Sequence, residues 1–188
     1  TMAANGGAGA DEATIAVLGL GNVLMGDDAL GPTVIAHLLA RHDFPPTVRV
    51  EDLGTPGLDL HPHLAGASAL IMIDVVRADA APGALRLYRK DDIMRRPPPV
   101  RVGPHDPSFK EALAALEFAD QGPDEVLLVG VVPASTEGST ALSEPVAAAV
   151  PAVIDAVCGE LARLGHPARP RDDAAEPHLW WREDPGGA

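Results

Sequence analysis

Three apolar runs punctuate the chain: Ile15–Leu20 (IAVLGL), Ala69–Val76 (ALIMIDVV) and Glu125–Pro133 (EVLLVGVVP). Each is short, rich in β-branched residues and apolar at nearly every position, the pattern of a strand covered on both faces in a parallel sheet. Thr47–Asp52 (TVRVED) alternates instead, and predicts a strand with one more exposed side. Ala84–Tyr88, after a Pro82-Gly83 turn, predicts a further strand. Helical spacing fills the intervals. Val34, Leu38 and Leu39 make a stripe in a helix opening near Gly31, with Pro32 in its first turn. Phe109, Leu113 and Leu116 mark one over Phe109–Phe118. A long helix is predicted over Ser143–Leu164, with Ser143 as a partial cap because Val146 stands where a capping box wants Glu. Pro145 and Pro151 should limit its regularity. A short helix over Pro56–Leu64, capped by Thr55, and an extended loop over Arg95–Gly103 complete the reading. The alternation of strands and helices predicts an α/β fold, a three-layer α/β/α sandwich with a mostly parallel sheet. Ligands of such sheets bind beyond the carboxyl ends of the strands.

The patterned region is bounded on both sides. Residues 1–14 read as a flexible leader, 15–164 as a single α/β domain and 165–188 as a proline-rich acidic tail. The tail holds both tryptophans, Trp180 and Trp181. It reads either as a disordered end or as a segment docked on its own domain or a partner. If docked, the tryptophans are expected on the domain surface away from the cleft. A formal net charge of -13 excludes the basic footprint of a nucleic-acid binder. Every apolar run is broken well short of the roughly 20 residues of a membrane span, so no membrane insertion is expected. Cys158 is the one cysteine, which excludes an intrachain disulfide or a cysteine-built zinc cluster. With no basic, apolar signal segment at the start, cytoplasmic residence is the expectation.

Polar groups fall where the strands should end. The turn after the first run carries Gly19, Gly21, Gly26, Asp27, Asp28 and Gly31. It lacks the third glycine of a dinucleotide fingerprint, and its acid pair would repel phosphate. Asp74 interrupts the most apolar run, where a carboxylate is costly unless paired, protonated or bound to a cation. His105 stands just before the Phe109 helix. His61 and His63 flank Pro62 and make a weaker ligand pair. Asp28, Asp74 and His105 offer two carboxylates and an imidazole, donors suited to nickel, zinc, iron or manganese with positions left open.

The stretch from Gly19 to Gly31, GLGNVLMGDDALG, resembles the opening motif of the hydrogenase maturation endopeptidases. The resemblance continues through Asp52–Gly57, Ile73–Val76, Ala81–Gly83, Pro104-His105 and Leu128–Pro133, and covers roughly residues 15–163. It implies the α/β/α fold and an endopeptidase that removes a C-terminal peptide from the large-subunit precursor of a nickel-iron hydrogenase. By the same resemblance Asp28, Asp74 and His105 are the metal-contacting and catalytic residues, with Asp52 as a further acid of the site. Some relatives carry Glu where Asp28 stands, one methylene longer. Nickel is expected to arrive in the substrate as a readiness check, with another divalent metal such as zinc as an occupant in isolation. The chain has no GxSxG or HExxH motif, so carboxylates and a borrowed metal are the consistent chemistry. The alternatives are a non-cleaving, metal-sensing or chaperone-like binder of the same subunit, and a related peptidase with another substrate.

Overall fold

The computed structural model describes residues 14–55, 60–95 and 109–182. Five strands form the main sheet: β1 (Ile15–Leu20), β3 (Val48–Gly54), β4 (Ala69–Val75), β5 (Leu85–Arg89) and β6 (Glu125–Val131). Their order is β3-β1-β4-β6-β5, and only β5 runs antiparallel to its neighbour. The helices are α1 (Leu30–Arg41), α2 (His61–Leu64), α3 (Lys90–Arg95), α4 (Phe109–Phe118) and α5 (Glu144–Arg163). Two short strands, β2 (His42–Asp43) and β7 (Arg169–Pro170), pair antiparallel outside the sheet.

Strand periodicity divides the core in two. Ile15, Val17, Ile71, Ile73, Leu127 and Val129 face α1 and α5. Ala16, Leu18, Leu70, Met72, Val126 and Leu128 face α2, α3 and α4. β1 and β4 are buried at every position, which is why their sequences run apolar rather than alternating. The sandwich and its mostly parallel sheet are therefore those the apolar pattern predicts. The predicted helix over Pro56–Leu64 is only His61–Leu64 among the described residues, and 56–59 lie outside them. The extended loop predicted over Arg95–Gly103 lies outside them from residue 96 on.

Ser143 departs from its expected role. It stands at the N-cap of α5 with an extended backbone, but its side chain makes no cap hydrogen bond. α5 also runs unbroken through Pro151, which is exposed. By length and composition it is apolar enough to cross a membrane, which the sequence reading denied of every segment. Here its stripe of Val146, Val150, Val153, Val157 and Leu161 is packed on the sheet. At its far end the buried Glu160 meets the guanidinium groups of Arg89 and Arg163.

The described part of the tail is docked. Arg171 and Ala175 donate backbone N–H groups to the carbonyls of Arg41 and Ala40, at 2.9 and 3.1 Å. The segment then ends in a 3-10 turn, Trp180–Arg182, with Trp181 buried and Trp180 exposed. Arg182 Nε donates to the Thr140 carbonyl at 3.2 Å, in the loop after β6. The tryptophan turn thus reaches the loops at the carboxyl edge of the sheet, rather than a surface remote from them.

Backbone proximity sets how closely α1 sits on β1. A Cβ on Gly31 would lie 2.2 Å from the Leu20 carbonyl oxygen and 2.4 Å from its nitrogen, neither of which can swing aside. Gly31→Ala should therefore destabilise by about 3 kcal/mol, the upper end of overpacking costs, read as a fall in denaturation midpoint at unchanged slope. Hydrogen bonds from Arg163 hold the Glu160 carboxyl down to about 2 against its burial, with Arg89 adding two further bonds, from an ordinary value of 4.5. A depressed carboxyl stabilises the fold above the unfolded value and loses that contribution as pH falls through the folded one. Stability should thus drop between about pH 4.5 and 2, and Glu160→Gln should flatten that part of the profile in acid titrations followed by circular dichroism.

Candidate active site

The strand order places a crevice between β1 and β4. From β1 the chain passes through α1 to β3 on one side, then crosses back to β4 on the other. Loops leaving adjacent parallel strands in opposite directions open a cleft at their carboxyl ends, the usual ligand site of such sheets. Asp28 lies in a 3-10 turn, Gly26–Ala29, directly after β1, and Asp74 is the penultimate residue of β4. Both are almost wholly buried. Asp74 shares its strand face with Leu70 and Met72, the side covered by α4, and its Oδ1 accepts the Val75 N–H at 2.7 Å. Asp28 Oδ2 accepts the Asn22 N–H at 2.6 Å, which folds the turn back onto the end of β1. Gly21 makes that possible: its φ is +137°, and a Cβ there would fall 1.7 Å from the Asp28 carbonyl oxygen.

Asp27 does different work from its neighbour. Fully buried, it accepts the N–H groups of Ala134, Ser135 and Ser143 at 2.7, 3.0 and 2.6 Å, and the Ser143 hydroxyl at 2.9 Å. Burial raises its pKa, but these bonds outweigh it and hold the carboxyl below the usual carboxylate range. The loops after β1 and β6 are zipped further by Gly26 N–H to Ser139 carbonyl, 2.8 Å, and Ser139 N–H to Leu24 carbonyl, 3.1 Å. The sequence marked both acids and assigned only Asp28 a role. The structural task of Asp27 was hidden because its donors lie more than 100 residues away. No local signal marks Ser143 as its partner.

Asp52 lies near the end of β3 beside β1, in register with Gly19. It is solvent-accessible, yet the surrounding atoms partly desolvate its carboxyl and push it up, against a 2.8 Å hydrogen bond from the Gly54 N–H. Asp52, Asp28 and Asp74 thus come from the carboxyl ends of three consecutive strands of the sheet. His105 lies outside the described residues, four positions before the buried Phe109 that opens α4. Among the described residues, no three His, Cys, Asp or Glu side chains are grouped to hold a metal ion. His63 faces Glu51 at 3.8 Å on the surface.

Comparison with known proteins agrees with this architecture. The sequence model of a family described as hydrogenase maturation protease matches residues 32–160, a span with Asp52, Asp74 and His105 but not Asp28. A hydrogenase expression/formation protein, HupM, of Azotobacter chroococcum is 37% identical over 163 residues, 86% of this chain and 78% of that one. The hydrogenase 2 maturation protease of Escherichia coli is 32% identical over 162 residues, 84% of this chain and 96% of that one. The solved hydrogenase maturating endopeptidase HybD from E. coli superposes with a TM-score of 0.78 at 32% identity, covering 85% of this chain and 99% of that structure.

Removing the Asp27 carboxylate leaves its four donors to water. Asp27→Ala should cost about 2–3 kcal/mol, the range for hydrogen bonds to a charged group. The stability carried by Asp27 is present above its ordinary value of 3.8 and is lost as pH falls through the lower folded-state value. Thermal unfolding of wild type and Asp27→Ala should therefore differ at pH 7 and converge in strong acid.

Proposed function

The chain belongs to the hydrogenase maturation protease family, and from that premise we propose that it removes the C-terminal peptide of a nickel-iron hydrogenase large-subunit precursor only once nickel is seated. The observation that carries this reading is the pair of buried carboxylates, Asp28 and Asp74, at the β1–β4 switch of the sheet. Carboxylates desolvated to this degree favour a cation strongly. Two acids short of a full ligand set suit a metal delivered by a partner better than one held permanently. His105 is the third ligand in this reading, on the sequence just before the helix that covers the Asp74 face.

The reaction is a peptide hydrolysis. The oxygen of a water adds to the scissile carbonyl carbon, the carbon–nitrogen bond breaks, and a water proton ends on the departing amine. Asp28, Asp74 and His105 complete the coordination of the nickel carried by the precursor, which orients the nearby peptide bond against the cleft. Asp52, its basicity raised by partial desolvation, is the candidate acceptor of the water proton. Nickel is part of the substrate here, so coordination adds affinity only for the loaded precursor. Two or three new bonds at ~1.4 kcal/mol each discriminate loaded from empty precursor by roughly 100- to 1000-fold. This reading places the reaction in the cytoplasm.

A time course on nickel-loaded and metal-free precursor, read by intact mass, tests the proposal. The loaded precursor should shorten and the empty one should not. Asp28→Ala, Asp74→Asn and His105→Ala should each lose cleavage, while Asp52→Asn should lower the rate and flatten its pH profile. Equal cleavage of both precursors would reject the nickel check. Binding of loaded precursor without shortening would identify a non-cleaving sensor instead.

A further inference from the structure

The docked C-terminal segment ends beside the loop after β6. α5 descends from Ser143, beside the carboxyl edge of the sheet, to Arg163 beside the amino edge, where Arg163 meets Glu125 at the start of β6. The segment after it turns back along α1. His166 Nδ1 and the Thr47 hydroxyl lie 2.7 Å apart, β7 pairs with β2 at the end of α1, and Arg171 and Ala175 bond to Arg41 and Ala40. Only the last turn returns to the carboxyl edge, where Trp181 is buried and Arg182 holds the Thr140 carbonyl. Thr140 follows Ser139, which is bonded on both sides to Leu24 and Gly26, and Gly26 immediately precedes the acid pair. The loop from Ala134 to Ala141 is otherwise exposed, and only Leu142 at its end packs partly against the core.

We propose that Arg182 is a positioning residue for the active site, with the buried Trp181 seating the turn that carries it: Arg182 ties the 134–143 loop from outside, as Asp27 pins it from inside, and so holds the turn that carries Asp28. The segment lies beyond residue 160, outside the span that the family model matches. The role in cleavage rests on the proposed function; the mechanical coupling does not. Besides the backbone hydrogen bonds that join Ser135 and Ser139 to the turn after β1, two side-chain ties act on this loop. The inner one is a buried carboxylate with four donors, the outer one a single exposed hydrogen bond beside a buried indole. Loss of the outer tie leaves the loop attached but raises the frequency of its opening.

Amide hydrogen exchange on the full chain tests the coupling without any substrate. Arg182→Ala and Trp181→Ala should speed exchange at Gly26, Asp27, Ala134, Ser135 and Ser139 by about 3- to 10-fold, with α5 and β4 amides unchanged. Arg171→Ala, which breaks ion pairs to Asp43 and Asp173 far from the loop, is the control and should leave those five amides as in wild type. With loaded precursor, the two brace variants should lose several-fold in kcat with a smaller change in KM, because fewer molecules hold Asp28 in place at any moment. Arg182→Lys, which keeps a donor, should recover part of both effects. Unchanged exchange in both brace variants would overturn the proposal. Faster exchange with unaltered kcat would confine the brace to stability and overturn its positioning role. If wild type itself does not cleave, the proposed function fails while the exchange result still stands or falls by itself.

Discussion

A single buried carboxylate joins the two halves of this molecule's working edge. Asp27 sits at the carboxyl end of β1 and gathers donors from the loop after β6, two strands away. The negative charge is affordable in so dry a place only because four hydrogen bonds satisfy it. Those bonds also leave Asp27 little freedom for chemistry. The adjacent Asp28 is thereby presented from a turn that is fastened on one side to β1, through Asn22, and on the other to the β6 loop. The acid pair is thus divided by task in the proposed function, one carboxylate holding the architecture and the other left for the chemistry.

The same turn depends on absent side chains. Gly19, Gly21 and Gly31 bring the backbone of α1 and its entry turn to within contact of β1, at separations no Cβ would tolerate. Close approach draws the first turn of α1 over the β1–β4 switch and keeps the acids near the end of β4. Ile35 packs over Gly19 and Leu30 is wholly buried beside it, so the apolar core and the site share one wall. A rigid wall of this kind suits the site of the proposed function, since small displacements of a ligand group would weaken its contribution steeply. The loop after β6 is more exposed, and it is held mainly by hydrogen bonds.

Much of this was legible along the chain, for local reasons. An unbroken apolar run such as ALIMIDVV has one stable setting, a strand covered on both faces, and an acid inside it signals a task of its own. The glycines around the first turn, the stripe of α4 and the docked length of α5 are likewise local patterns. These determined the α/β/α layering, the strand-end location of Asp28, Asp52 and Asp74, and the motifs of the family.

Tertiary structure alone decided the pairings between distant segments. The strand order puts the crevice between β1 and β4, and no periodicity reveals which strands become neighbours. Ser143 carried the signature of a helix cap, but its hydroxyl satisfies Asp27, because a buried charge outcompetes exposed helix amides that water can serve. The tail has the composition of a disordered end, yet its backbone groups find partners on α1 and its last tryptophan a buried place. Propensity and patterning act within a few residues, while hydrogen-bond satisfaction and burial act wherever the fold brings groups together, and those contacts exist only once the chain has closed.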